Sequence, residues 1–525
     1  MTKAARLANR ALRALLMADG SHDAVDGAMS PSADQKYMTT AGAGCKIEST
    51  SAGELRTTAE ISRDARHKGP VGFPRIALLT PYNGENLGDA SIQHAIITNL
   101  QRRLPNAEFS GITMSDANFV EQHGSIGFPL YAWRRPLFVS HRREVAERAG
   151  SEGSVQAARP RFISLARKLL RSTPAIARPS NTIRGLAGRL YGELLHAREA
   201  YRFLRTHRLL IVSGGGQLDE EWGGPWGHPY ALFKWAVLAG IARVPFAIAS
   251  VGACKVTTRS CRVLLSAALW MARYRSYRDI NTRQIAASFL RRAADDPMVP
   301  DMAFSLPASQ LPRPAGIRPM AQGRPVAAIS PIAYAKPGTW AYQNAALYSR
   351  YLQEMARVTS QLLQRDYFLL FVYSSLGNDD RVVSEILERL DEDSRRKAAR
   401  QMKTPAIRTW KDLVALLMDV DFLIASRLHS AILAFVAQTP TIALSFDPKV
   451  DWVMQDLGQT DYLLHIHDFT AEDVIRVLER VKQYKEPVTK QLRSYPLGVQ
   501  SAFTRQYDAL AELALSSHKR PGSED

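Results

Sequence analysis

The chain reads as two doubly wound α/β sheets facing each other across a cleft, and three observations lead there. Short, almost continuously apolar runs of strand length alternate with helical patterns in both halves, as expected of parallel strands covered on both faces. Loops rich in Gly, Asn and Asp follow several of those runs, and a stretch crowded with Pro and Gly separates the halves. At 525 residues the chain also exceeds what one hydrophobic core organises, so two compact domains plus extra segments are expected.

Residues 1–70 are rich in Ala, Ser, Thr, Gly and Asp without sustained periodicity, which predicts a flexible N-terminal tail. The first α/β domain, 71–306, opens on the apolar run Pro74–Thr80, a turn-rich loop to Asp89, and a helix from Ala90 to Leu104. From about 117 to 208 the pattern loosens into a basic helical insertion. Between Arg159 and Arg208 it holds twelve Arg and Lys residues against Glu193 and Glu199. Order resumes with the strand Leu209–Ser213, a helix Tyr230–Ala242, a strand Phe246–Val251, a helix Arg259–Ala272 and a strand Arg273–Tyr277. Pro307, Pro312, Pro314, Pro319 and Pro325 mark 307–325 as a linker. The second α/β domain, 326–490, is expected to run through strand Val326–Ile332, helix Tyr342–Leu363, strand Tyr367–Tyr373, helices Asp380–Leu390 and Lys411–Met418, strand Phe422–Ala425, a buried helix, and strand Thr441–Phe446. Helices at Ala471–Gln483 and Val499–Ala514 follow, the latter within a C-terminal helix and tail, 491–525.

The net charge of +18 and a pI near 9.8 imply affinity for something acidic. No aromatic-rich nucleic-acid motif accompanies the arginines, so nucleic acid is not the expected partner. Phe162, Ile163, Leu165, Leu169 and Leu170, set among Arg and Lys, suit instead a peripheral contact with an anionic membrane, with a solvated basic face as the plainer alternative. Cys45, Cys254 and Cys261 have neither disulfide-framework nor zinc spacing, which points to a reducing compartment. No secretory core follows the basic N-terminus. The longest charge-free apolar stretch, His429–Phe446, is interrupted by Gln438, Thr439, Pro440 and Thr441 and reads as helix, turn and strand rather than a membrane span. These features predict a cytoplasmic protein, peripheral at the inner face of the membrane. Nothing in the sequence specifies an oligomeric state.

Ligands of open α/β sheets bind beyond the carboxyl ends of strands, and four such places carry chemistry. At Arg427-Leu428-His429, a permanent cation and a group that ordinarily titrates near neutral pH open a helix whose first N–H groups favour an anion; Asp447 and Lys449 follow the next strand. Arg278-Asp279 follows another strand, either as a neutralised pair capping a helix or as a guanidinium poised for a carboxylate or phosphate. Asn86-Leu87-Gly88-Asp89 lacks the Gly-Lys-Ser/Thr ending of a P-loop and fits either a ligand loop or a turn with Asp89 as helix cap. Gly214-Gly215-Gly216 is followed by Asp219 where a dinucleotide fingerprint needs glycine, so a dinucleotide site is not expected, while the three glycines still imply that either backbone or a ligand lies close to that turn.

Taken in order, these motifs resemble the polysaccharide pyruvyl transferase family. The resemblance rests on Asn86-Leu-Gly-Asp89, Ser213-Gly-Gly-Gly216, Arg278-Asp279, Pro300-Asp-Met-Ala-Phe304, Arg427-Leu-His429 and Ser445-Phe-Asp-Pro-Lys449, and spans roughly residues 74–460. It implies two Rossmann-like domains in a GT-B-like arrangement. It also implies transfer of pyruvate from phosphoenolpyruvate, as co-substrate, onto two sugar hydroxyls as a ketal, with a glycan or lipid-linked sugar as acceptor. Carried over by motif position, Arg278, Arg427 and His429 are the catalytic candidates, with Leu428 and Lys449 joining them at the donor. Asn86, Gly88, Asp89, Gly214, Gly215, Gly216 and Asp447 line the loop and acceptor side of the cleft. Neither metal nor organic cofactor is expected. The main alternative is a GT-B glycosyltransferase using a nucleotide sugar; it needs a nucleoside-binding acid late in the second domain, a role for which Asp447 is poorly suited by the nearby Lys449. A non-catalytic scaffold for anionic glycans or membranes is a third reading.

Overall fold

The computed structural model describes residues 73–81, 84–115, 126–132, 181–254, 256–338, 342–377 and 379–516, with side chains of 181–187 outside the description. The N-terminal tail 1–70 and the basic segment around Arg161–Arg171 lie outside the described residues.

The first half contains β1 (Arg75–Leu79), α1 (Leu87–Gln101), β2 (Glu108–Thr113), β3 (Ile126–Pro129), α2 (Asn181–Leu204) and β4 (Leu209–Ser213). It continues with α3 (His228–Ala242), β5 (Phe246–Val251), α4 (Arg259–Met271), β6 (Tyr274–Tyr277) and α5 (Ile280–Phe289). The second half holds β7 (Val326–Ser330), α6 (Ala345–Gln364), β8 (Phe368–Phe371), α7 (Asp379–Leu387), α8 (Glu392–Gln401), β9 (Met402–Lys403) and α9 (Trp410–Leu417). It then runs through β10 (Phe422–Ala425), α10 (Leu428–Val436), β11 (Thr441–Ser445), α11 (Pro448–Asp456), β12 (Leu463–His465), α12 (Ala471–Gln483) and α13 (Lys485–Ser516).

Both halves form six-stranded parallel sheets, ordered β3-β2-β1-β4-β5-β6 and β12-β11-β10-β7-β8-β9. Renumbered from its own first strand, each has the doubly wound order 3-2-1-4-5-6, with its switch point between the first and fourth strands. The two Rossmann-like domains are therefore present. Central strands such as Leu209–Ser213 and Thr441–Ser445 are buried at every residue, which explains their unbroken apolar sequences. The short strands β2, β3, β9 and β12 were not legible in advance because their few residues mix Gly, Pro, Ser and charge with apolar side chains.

α1 is the hinge of the architecture. One core runs from its Leu87, Ile92 and Ile96 through Met302 and Phe304 to Ile432 and Leu433 of α10, so the two halves share buried apolar surface. The segment 307–325 packs along the second half, where Ile317 N–H donates to Asp419 (2.8 Å) and Arg318 pairs with Asp421 (3.1 Å). The C-terminal helix begins earlier than expected, at Lys485 rather than Val499. α13 continues through Pro496, and its far end returns to the first half. A proline inside a helix costs about 3 kcal/mol. Burial of Phe503, Tyr507 and Leu510, together with Gln506 held between Ser250 and Ser276, offsets that cost.

His207, between α2 and β4, gives a stability signature. Burial pushes its imidazole down to about 4, with the Phe203 carbonyl opposing and Arg75 reinforcing the shift. Its folded value lies below the ordinary unfolded one near 6.5, so the unfolded chain binds the extra proton as pH falls from 6.5 to 4. Relative to a His207→Leu variant, the wild type is expected to lose up to about 3 kcal/mol over that window. Parallel urea denaturation of the two proteins at each pH measures the difference; a constant offset would contradict it.

Candidate functional site

The elbow after β10 is fixed before any ligand is considered. Ser426 Oγ lies 2.9 Å from Tyr351 Oη, and Ser430 Oγ lies 2.7 Å from Ser330 Oγ and donates to Ser374 Oγ at 2.9 Å. These buried hydroxyls hold the start of α10 between the ends of β7 and β8. Arg427 is extended and provides no side-chain cap, so the first N–H groups of α10 remain outside any side-chain capping bond.

His429 faces the first half across a seam. A Cβ built on Gly88 would stand 1.9 Å from His429 Cγ and 2.3 Å from Nδ1, so only glycine admits the ring this close to α1. The approach is locked by backbone: Leu87 N–H donates to the Ser374 carbonyl (2.9 Å), Leu376 N–H donates to the Glu85 carbonyl (2.9 Å), and Asn86 bridges Ser375. Asn86, not Asp89, is the cap of α1; its side chain accepts from Gly88 N–H at 3.0 Å. That leaves the Asp89 carboxyl available at the seam, beside the turn at Gly215, whose added Cβ would lie 3.4 Å from Asp89 Oδ1. Burial pushes the Asp89 carboxyl above its ordinary range; His429 and Arg278 pull it back, and Asp301 pushes it further up.

Arg278 belongs to the same cluster. Its guanidinium lies over Gly252, where a Cβ would come within 2.7 Å of Nη2. Asp279 caps α5 through Thr282 N–H (2.7 Å) and stands 3.5 Å from Arg278 Nε, so the reading of a neutralised pair capping a helix describes it in part, and both residues are buried. Asp301 Oδ2 is 3.5 Å from Arg278 Nη1, near enough for attraction but without hydrogen-bond alignment. Arg278 Nη2, Asp301 Oδ2 and His429 Nε2 are buried polar atoms without a hydrogen-bond partner. Such orphans are costly, and three at one seam mark a place built to receive polar groups.

Arg427 does not meet Arg278. Its Nε and Nη2 form a bidentate pair with Asp379 at 2.8 and 2.7 Å, and Asp379 is fully buried at the start of α7. Burial pushes the Asp379 carboxyl up and Arg427 pulls it down. Asp447, Lys449 and Gly216 form a second cluster. Lys449 Nζ lies 3.5 Å from Asp219 and 3.8 Å from Asp447, and an added Cβ on Gly216 would stand 3.4 Å from it. Burial works against the Lys449 charge, yet Cys254, Asp447 and Asp219 hold the ammonium above its ordinary range. Gly214 packs against Ile92 and Met302, and Leu428 against the shared core.

Sequence reasoning did not single out Asp219, Cys254 or Asp379 as site residues, and quoted Asp301 only within a motif. An acid opening a helix, as Asp379 does, reads as an ordinary complement to the helix dipole, so no local signal separates it.

The family model for polysaccharide pyruvyl transferase matches residues 86–448, from the Asn86 cap to the first residue of α11. The chain belongs to the polysaccharide pyruvyl transferase family. The seam between Asp89, Arg278 and His429 is thus the seam of a pyruvyl transferase, and a glycan is its acceptor class. No curated protein matches the chain. Solved structures similar to this pyruvyl transferase include a putative UDP-N-acetylglucosamine 2-epimerase from Listeria monocytogenes (9% identity, TM-score 0.47, covering 83% of this chain and 98% of that one). Others are the UDP-GlcNAc 2-epimerase from Neisseria meningitidis bound to UDP-GlcNAc (9%, 0.44, 83% and 99%) and E. coli ADP-heptose LPS heptosyltransferase II (15%, 0.37, 78% and 99%).

Proposed function

We propose that the protein moves pyruvate from phosphoenolpyruvate onto two hydroxyls of one sugar unit in an exopolysaccharide or cell-surface glycan precursor, forming a cyclic ketal and releasing phosphate. The observation that carries this reading is the set of buried, unpartnered atoms Arg278 Nη2 and His429 Nε2 at the closed seam. They supply a fixed cation and a proton carrier where water is largely excluded.

Arg278 holds the donor's anionic groups. The first N–H groups of α10, at Leu428 and His429, and the Arg427 edge not used by Asp379 complete the cradle. His429 gives a proton to the donor methylene carbon, and positive charge develops on the adjacent carbon. The first sugar hydroxyl adds its oxygen there and returns its proton to His429. Phosphate then leaves with the C–O electron pair, and the second hydroxyl closes the ring while its proton departs with phosphate.

A lipid-linked acceptor at the inner membrane face fits the exterior. Leu190, Tyr191 and Leu194 of α2 are 58%, 63% and 70% exposed, Trp226 is 67% exposed, and Arg198 and Arg202 further along α2 and Arg205 just after it are exposed. Leucines with Tyr and Trp beside arginines are the composition of an interfacial helix. Among the described residues no helix is long and apolar enough to cross a membrane.

The test is incubation of the full chain with phosphoenolpyruvate and membrane-derived glycan precursors. Phosphate release matched by a new ketal methyl signal in NMR is expected. Arg278→Lys should raise KM for phosphoenolpyruvate by about tenfold or more, because an ammonium cannot reproduce a bidentate fork. UDP released from a UDP-sugar, with no phosphate from phosphoenolpyruvate, would establish a nucleotide-sugar transferase instead.

A further inference from the structure

The second sheet carries a group of aromatic rings that the donor chemistry does not use. Tyr334 lies after β7, Phe446 directly after β11, and His467 after β12, all beyond the carboxyl ends of strands. The Tyr334 ring is 4.7 Å from Phe446, 5.9 Å from Tyr342 in a stacked arrangement, and 5.8 Å from His467 edge-on. In the sheet, β10 lies between β11 and β7. The rings arriving from β7 and β11 therefore belong to the same end of the sheet as the elbow that follows β10 and bears His429. Tyr334 and Phe446 are half-buried, whereas Tyr342 is 50% exposed and His467 is exposed. The group therefore runs from the elbow to the surface.

Its border is acidic. Asp447 follows Phe446, and Glu221 of the first half is close enough, with Tyr342 and Asp447, to reinforce the burial that keeps the Tyr334 phenol protonated. Asp219 and Asp447 flank Lys449 and Glu221 interacts with it, so three carboxylates surround one ammonium. This balance repels a diphosphate. Carboxylates and a phenolic hydroxyl instead suit a neutral polyol, whose hydroxyls donate to them while the apolar C–H face of its ring lies on an aromatic surface.

We propose that Tyr334, Tyr342, Phe446 and His467 form the platform on which a neutral pyranose of the acceptor stacks, with Asp447 and Glu221 taking its hydroxyls. The proposal rests on the pyruvyl-transfer reading and names the acceptor subsite within it. A nucleoside diphosphate is disfavoured there by the acids that its phosphates would meet.

Saturation-transfer NMR on the full chain with methyl glucoside, galactoside and mannoside, and with uridine and UDP, tests this. Saturation of the ring protons of at least one methyl hexoside is expected, and none of UDP. Tyr342→Ala should weaken the hexoside by about threefold to tenfold, and Tyr342→Phe should restore it. Tyr342 is exposed, so its variants leave the core intact; Tyr334→Ala, checked for a cooperative unfolding transition, extends the test to the centre of the platform. Absence of hexoside binding, binding indifferent to both alanine variants, or uridine and UDP binding that the same variants remove would each overturn the proposal. Phosphoenolpyruvate binding, followed in parallel by phosphorus NMR, separates the two levels. If it persists and depends on Arg278 while hexosides ignore the platform, the subsite is wrong and the donor reading stands.

Discussion

Replacing Gly88 by alanine is expected to lower kcat/KM for pyruvyl transfer by about 100-fold or more while leaving the first half folded, because misplacement of a positioned group by about an ångström has that effect. Position 88 lies in the first turn of α1, where alanine is the better helix former by about 1 kcal/mol. The substitution therefore improves local propensity, and any loss arises across the seam. The new Cβ would stand 1.9 to 2.4 Å from three atoms of the His429 side chain, and neither the ring nor the α1 backbone can absorb such an overlap. Either His429 turns away from the seam or the halves part, breaking the hydrogen bonds from Leu87 to Ser374 and from Leu376 to Glu85. Solution scattering distinguishes these outcomes, since parting raises the radius of gyration. A Gly88→Ala, His429→Gly double variant removes the overlap, so it should regain the wild-type radius and remain inactive. A Gly88→Ala enzyme with wild-type rate and radius would show that the seam does not close as described.

The same seam shows how far sequence carries. The alternation of buried strands and helices, the two sheets and the elbow Phe422–Leu428 were legible because burial on both faces leaves unbroken apolar runs, and because polar residues after such runs have few places to go. The partners of the elbow were not legible. Arg427 and His429 are two residues apart, yet one turns into its own half toward Asp379 and the other faces Gly88 across the seam. That divergence is set by the start of α10 and by the loop after β8, which local pattern does not encode. Asn86 and Asp89 are a similar case. Both are good caps, and the structure assigns the cap to Asn86 and thereby exposes the Asp89 carboxyl to the seam. Pro496 is a different case, since the local cost of a proline inside α13 is offset by burial of Phe503 and Tyr507 against the other half.

His429→Gln is the variant that separates proton transfer from donor binding. Glutamine keeps a hydrogen-bond donor near the position of Nε2 but cannot exchange a proton near neutral pH. If His429 is the acid that protonates the methylene carbon, kcat should fall by about 10²- to 10⁴-fold while KM for phosphoenolpyruvate changes little. If it only binds the donor, the loss should appear in KM. In D2O the wild-type product should carry deuterium in its ketal methyl group, and His429→Gln should slow that incorporation in step with kcat. Asp89 makes the distinction sharper. Its buried carboxyl interacts with His429 across the seam, so Asp89→Asn should also lower kcat, with His429 still in place against Gly88. A proton carrier held by glycine on one side and by an acid on the other is an arrangement that anion binding alone does not require. An increase confined to KM in both variants would leave the arginines as the only agents of the chemistry.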